Sequence, residues 1–285
     1  PAWSVFFVSK FIDVRCISTF HGTYNFRGYL KKLYNSVMLR MNGTIAISNF
    51  IHDHIKKNYT FKKNPIQTIE RGIDLNFFDP KSISKNDIKN AIKKYDLKED
   101  SIKILLPARV TEWKGHLTLV DAVSQLLEKK ILNIEVLFFG PDQNKLLKEK
   151  IKNSIKHKNL QHIIKFYGPT DKMNLIYALS DIVVSSSTDP EAFGRVSIEA
   201  QAMGKLIIAS AHGGSQETIL EGKTGYLYSP KEPSELMKKI SSVIDQKKYC
   251  SNEMSSLAIE HIKSNYGKDK MCKKTLEFYQ EIISQ

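Results

Sequence analysis

Short apolar runs alternate along the chain with longer stretches in which apolar residues recur every three or four positions. The short runs Arg15–Thr19, Thr44–Ser48, Ile66–Glu70, Ile102–Ala108, Ile134–Phe139, Ile163–Tyr167, Asp181–Val184 and Leu206–Ala209 predict strands. Several are continuously apolar, as strands covered on both faces are. The intervening stretches predict helices over Asn49–Asn58, Asp87–Tyr95, Leu117–Leu127, Leu146–His157 and Met173–Leu179. Further helices are predicted over Pro233–Asp245, Glu253–Ile262 and Lys268–Ile283. Ser48 sits where an N-cap belongs. At the front, an amphipathic helix is expected to about Phe11, and a basic, aromatic one within Tyr24–Arg40. Strands alternating with helices at this rhythm mean α/β architecture with doubly wound parallel sheets.

The punctuation between these elements carries the chemistry. Open parallel sheets place their sites just beyond the carboxyl ends of strands. The run Asp181–Val184 leaves through serines and Pro190, and after Gly194 the spacing of Val196, Ala200 and Met203 puts one helical face inward. A helix that begins at Gly194, with Arg195 and Val196 next, offers unpaired N–H groups and a positive dipole end to an anion. Glu191 lies in the loop before it and Glu199 about a turn and a half inside, bordering the buried face, where a carboxylate needs donors such as sugar hydroxyls. Beyond Ala108 stand Arg109, Lys114 and Gly115; two cations at a strand exit make a diphosphate clamp, unless they are surface residues pairing with Glu112. Gly140 and Gly168 follow the next two strands. His21 follows Thr19-Phe20 and is by residue type either structural or part of a site. The stretch from Tyr24 to Arg40, with Phe26, Arg27, Tyr29, Lys31, Lys32 and Tyr34, reads as a surface helix or as a membrane-facing, lipid-acceptor patch.

Composition narrows the classes. Apolar content of 41% and charged content of 26% are those of an ordinary globular protein with ample core. The net charge of +13 comes mostly from scattered lysines, with arginine only at positions 15, 27, 40, 71, 109 and 195, which argues against a nucleic-acid groove. Cys16, Cys250 and Cys272 fit neither a disulfide framework nor a zinc pattern and suit a reducing cytosol. No apolar run reaches membrane-spanning length.

Glu191 and Glu199, with seven residues between them that include Phe193-Gly194, and with Ala200, Met203, Gly204 and Gly213-Gly214 after them, resemble the Glu-x7-Glu frame of family-four retaining glycosyltransferases. Strand, Arg109, short loop, Lys114-Gly115 and helix match the same family, as do the His21-Gly22 turn and Arg71-Gly72-Ile73-Asp74. The resemblance implies a GT-B fold of two Rossmann-like domains. Residues 1–80 would be an acceptor-side domain, 81–265 a nucleotide-sugar domain, and 266–285 a helix crossing back to the first. A family member carries a first domain as large as the second, so Pro1 is expected to be the start of a fragment and the first domain incomplete.

The implied activity is transfer of a sugar from a nucleotide-sugar to an acceptor hydroxyl with retention, in lipopolysaccharide or other cell-envelope glycan synthesis. Arg109, Lys114 and the N–H groups at Gly194 would stabilise the leaving diphosphate. Glu191 would hold the donor sugar, Glu199 the ribose, and the turn at Gly168 the base. His21 would stand on the acceptor side. No Asp-x-Asp metal motif is present, and no cofactor is implied, the nucleotide-sugar being a substrate. The expected partners are this donor and a glycan or lipid-linked acceptor, with no nucleic acid. The expected location is the cytoplasm, with peripheral contact at the inner membrane. A glycoside hydrolase is disfavoured, since its carboxylates act from opposite faces of the bond. A nucleotide-sugar epimerase of the same fold and a non-catalytic donor-binding remnant stay open.

Overall fold

The structure, a computed structural model, describes residues 2–24, 28–60 and 64–284. Two parallel sheets organise it. The first has three strands in the order β1 (Ile17–Phe20), β2 (Gly43–Ala46) and β3 (Ile66–Thr68). Before and between them run α1 (Ala2–Val8), α2 (Tyr29–Ser36) and α3 (Asn49–Asn58). After α4 (Lys85–Lys94) comes the second sheet. Its strands are β4 (Ile102–Pro107), β5 (Ile134–Phe139), β6 (Ile164–Tyr167), β7 (Ile182–Ser185), β8 (Leu206–Ser210) and β9 (Gly225–Tyr228). Their connecting helices are α5 (His116–Glu128), α6 (Lys145–His157), α7 (Met173–Leu179), α8 (Arg195–Ala202) and the short α9 (Ser215–Thr218). The chain finishes with α10 (Pro233–Asp245), α11 (Asn252–Asn265) and α12 (Lys268–Ser284).

The second sheet runs β6-β5-β4-β7-β8-β9, every pairing parallel. The chain winds outward one way from β4 and then the other way from β7. The loops after these two strands therefore flank a topological switch point, where a doubly wound sheet opens a crevice. Apart from the buried Lys103 of β4 and Ser185 at the end of β7, the strands that line it are apolar because both faces are covered. Leu105, Leu137, Val183 and Ile207 face one buried cluster, while Ile104, Val136, Ile182 and Ile208 face the other.

The first sheet is closed on one side by the end of the chain. Phe278 and Ile282 of α12 pack on Ile45 and Ile69, all four buried. Gly43 is what permits the approach: a Cβ there would meet Phe278 at 2.8 Å. Lys274 pairs with Glu70 at 2.7 Å and Lys268 with Asp74 at 2.6 Å.

The front of the chain departs from its periodicity. The first helix stops at Val8 and buries no residue, and Phe11 is 88% exposed. Its apolar side meets α2 and the turn after it, Trp3 donating Nε1 to Tyr34 O at 3.0 Å and Arg40 lying over the Phe6 ring, and neither contact buries a residue of the helix. The helix expected within Tyr24–Arg40 is confined to α2, followed by a 3-10 turn over Val37–Arg40. Tyr29 and Leu33, placed on one face by spacing, are both exposed, and only Val37 and Leu39 beyond the helix are buried. Phe26 and Arg27 lie outside the described residues. Among the described residues no helix is long and apolar enough to cross a membrane.

Candidate functional site

Two loops meet at the switch point and are fastened together by their backbones. Thr188 donates its N–H to Trp113 O at 2.7 Å, and Ser186 Oγ donates to Gly115 O at 2.9 Å. Gly115 is indispensable to this contact. Its φ is +67°, and a Cβ would lie 1.8 Å from Ser186 O. Fastening the loops brings Lys114 against Glu191: Nζ donates to Oε1 at 2.5 Å, each side chain only 13% exposed. Ser187 Oγ donates to that same oxygen, also at 2.5 Å. Oε2 of Glu191 makes no hydrogen bond with the described residues, so a nearly buried carboxylate keeps one acceptor oxygen for a ligand. The Lys114 ammonium also lies 4.1 Å from the Trp113 ring centroid, and an ammonium has three donors, of which Glu191 uses one. The expected alternative pairing with Glu112 is absent, because the loop turns Lys114 inward.

Gly194 (φ +89°) begins α8, and its carbonyl accepts from Ser197 and Ile198. The N–H groups of Arg195 and Val196, one turn too early for intrahelical partners, face outward at the positive end of the helix. Phe193 is buried and packs edge-on against Tyr266, ring centroids 5.7 Å apart. Glu199, expected to border the buried face, lies fully in it, with 8% of the residue exposed. Arg195 Nε donates to Oε1 at 2.7 Å and Tyr177 OH to Oε2 at 2.9 Å. Burial pushes the Glu199 carboxyl above its ordinary pKa, with Arg195 and the Tyr177 hydrogen bond pulling the other way. The buried Tyr177 hydroxyl is itself held well above the usual range, so it is a donor at any working pH.

Arg109 leaves β4 exposed, and its guanidinium makes no ion pair or hydrogen bond with the described residues, while its carbonyl accepts from Thr111 N at 2.9 Å. Gly140 sits beside that exit, and a Cβ on it would meet Ala108 O at 2.2 Å. Gly168 is exposed, with nothing within 4 Å of a would-be Cβ, so no packing demand explains that glycine. His116, next to the clamp loop, is buried and neutral: burial and Lys114 push its pKa down to about 4.

The first sheet presents its own strand exits to these loops. Phe20 is in register with Ala46, which puts His21 beside Ile47 and one residue from Ser48. Ser48 Oγ donates to Ala192 O at 2.6 Å, so the edge bearing His21 abuts the loop of Glu191. Burial and the nearby Arg71 lower the His21 pKa below 6.5, which leaves its imidazole neutral near pH 7.

Sequence reasoning missed Ser187, Trp113, Tyr177, Arg71 as a neighbour of His21, and Glu217, whose carboxylate accepts from Asn49 N and Phe50 N; it placed Ser48 correctly as an N-cap, without its reach to Ala192 O. Ser187 and Trp113 had a signal, being four residues from Glu191 and one from Lys114. Tyr177 and Glu217 had none, since their partners are distant in the chain. Among the described residues no group of three or more His, Cys, Asp or Glu side chains gathers as metal ligands do.

Two family models match the chain: "Glycosyl transferases group 1" over residues 87–258 and "Glycosyltransferase Family 4" over residues 1–77. The crystal structure of a glycosyltransferase from Rickettsia africae superposes with a TM-score of 0.90 at 36% identity, over 99% of this chain and 74% of that one. That of Anabaena Alr3699/HepE, in complex with UDP and glucose, gives 0.89 at 20% identity, over 98% of this chain and 75% of that one. A lipopolysaccharide 1,2-N-acetylglucosaminetransferase of Salmonella typhimurium is 28% identical over 179 residues, 60% of this chain and 47% of that protein. Among curated relatives the chain spans between 47% and 64% of their length. The neighbours are two-domain GT-B enzymes, and the two parallel sheets are the corresponding Rossmann-like halves.

Proposed function

Because the chain belongs to the group 1 glycosyl transferases, we propose that it moves a hexosyl group, with retention, from a nucleoside-diphosphate sugar to an acceptor hydroxyl in cell-envelope glycan assembly. One observation carries the reading: Lys114, Ser187 and Glu191 converge at the switch point beside the start of α8, with one oxygen of Glu191 uncommitted. That oxygen accepts hydrogen bonds from the donor sugar. The remaining Lys114 donors, Arg109 and the N–H groups of Arg195 and Val196 receive the diphosphate.

Charge grows on the β-phosphate as the bond from the anomeric carbon to its phosphate oxygen breaks. Cations and amides already in place stabilise that charge without reorganising. The acceptor oxygen bonds to the same face of the anomeric carbon, and its proton passes to the departing phosphate oxygen, so no protein base is needed. Glu199, rigidly held by Tyr177 and Arg195, accepts from the ribose, and the turn at Gly168 lies beside the base. His21, neutral near pH 7, orients the acceptor. The UDP in the Anabaena neighbour makes UDP the first nucleotide to try, and the Salmonella relative makes a lipopolysaccharide-type acceptor the first acceptor. The reaction relies on the chain's own cations in place of a metal and runs at the cytoplasmic face of the membrane.

Calorimetric titration with UDP, GDP and ADP, each with and without EDTA, tests this. One of them binds in both conditions, and Arg109→Ala weakens it by about 1–3 kcal/mol, as for a lost charge-assisted contact. Failure of all three to bind would reject the donor site; binding only with Mg²⁺ would reject the metal-free clamp.

A further inference from the structure

The loop that carries Glu191 is gripped from the other half of the molecule. Helix α3 of the first half points its N-terminus at the second half, and every N–H group of its first turn is satisfied there or at its cap. Glu217, on α9 of the second half, accepts from Asn49 N at 2.9 Å through Oε2 and from Phe50 N at 2.6 Å through Oε1. Ser48 Oγ accepts from Ile51 N at 3.1 Å while donating to Ala192 O at 2.6 Å. A carboxylate at that position is doubly favoured, by charge-assisted hydrogen bonds and by the positive end of the helix.

Glu217 is itself anchored to the donor loop. Its carbonyl accepts from Tyr266 OH at 2.9 Å, and Tyr266 packs on Phe193. The turn leading into α9 lies directly on the loop: Gly214 N donates to Glu191 O at 2.7 Å, and Cβ atoms on Gly213 and Gly214 would meet Glu191 O at 2.3 Å and Phe193 Cα at 2.5 Å. The segment Glu191–Gly194 is thus sandwiched between the 213–217 turn and the Ser48 end of α3. On the turn side the packing leaves no space for even a Cβ, and on the α3 side the Ser48 hydroxyl holds Ala192 O.

The geometry points to Glu217 as a positioning residue: it docks α3 on the donor loop and so sets where Glu191 stands for the donor sugar. The inference rests on the reading of Glu191 as a sugar-contacting group. A plain helix cap would matter only to α3. A positioning residue must also hold Glu191–Gly194, and it must affect the sugar of a donor more than its nucleotide.

The full chain and its Glu217→Ala, Glu217→Gln and Ser48→Ala variants are compared by hydrogen exchange and by calorimetry with UDP and UDP-glucose. In Glu217→Ala, amides 49–51 exchange at least tenfold faster and so does the segment 190–195, while β4 and β5 keep full protection. UDP affinity stays within about twofold and UDP-glucose affinity falls about tenfold. Glu217→Gln, which keeps one acceptor oxygen, falls between. Faster exchange confined to α3, or equal losses for UDP and UDP-glucose, would overturn the proposal. Should Glu217→Ala lose the protection of β4 and β5, the same comparison is made with Glu217→Gln and Ser48→Ala. If the unaltered chain binds neither ligand, the donor reading fails, and the exchange in segment 190–195 decides the docking role by itself.

Discussion

Glu191 and Glu199 lie on one short stretch of chain and have nearly equal side-chain exposure, 13% and 11%, yet the structure treats them oppositely. Glu191 crowds two donors onto one oxygen and leaves the other unused. Glu199 has each oxygen occupied by a different protein donor. Their cations differ as much: Lys114 is 13% exposed, Arg195 75%. Exposure therefore does not tell which carboxylate is available to a ligand. Partner geometry does. One carboxylate keeps a whole oxygen for a ligand, and the other offers only the spare lone pairs of oxygens that are already held rigidly.

The largest test of that contrast is Glu191→Ala. Removing this uncommitted acceptor oxygen is expected to slow sugar transfer by about 10²–10³-fold, the loss usual for one preorganised electrostatic contact, measured as kcat with the best nucleotide-sugar. Transfer within threefold of the parent rate would make Glu191 a structural partner of Lys114.

Lys114→Ala is next. It should cost about 1–3 kcal/mol of nucleoside-diphosphate affinity by calorimetry. It also strands Glu191 without its cation, so a fall in unfolding free energy should accompany it.

The Glu199 carboxylate is read by pH. Burial raises the Glu199 pKa in the folded chain, so the native state holds this proton more tightly than the unfolded state does. Its contribution to stability is then full below the ordinary value near 4.5 and is lost as pH rises through the raised folded value. Glu199→Gln should flatten that part of the denaturation profile, its stability gaining on the parent as pH rises. Parallel profiles would mean that Arg195 and Tyr177 fully offset burial.

The smallest effect is expected from Arg195→Ala. An i,i+4 pair with a largely exposed guanidinium contributes about 0.3–0.5 kcal/mol to stability, measurable by urea denaturation. A loss several times larger would mean that the guanidinium is needed to keep the buried Glu199 carboxylate satisfied.

The Arg195–Glu199 pair was open to reading from the chain, because four residues on a helix is a contact by construction. The strand exits at Arg109, Gly140 and Gly194 were legible for a similar reason, since the apolar runs that end there mark buried strands. The inward turn of Lys114 was not legible. Its partner lies 77 residues away, and Glu112 two positions off is the choice local spacing offers. The apolar spacing at the front of the chain was legible but misleading. Periodicity says which face of a helix is apolar and cannot say whether anything packs on it, and α1 buries nothing.

What the sequence by itself determined is local and periodic: which runs are strands, which are helices, and where the glycines and charged groups fall at their ends. These follow from backbone geometry and side-chain burial over a few residues, and they carry the resemblance to a GT-B transferase with them. What only the tertiary structure decided is pairing across the chain. Ser48 meets Ala192 across 144 positions and Glu217 meets Phe50 across 167. Gly43 is small because α12 arrives over it from the end of the chain. No pattern in one segment encodes which distant segment will lie against it, because that choice is made by how the two sheets bury their faces together.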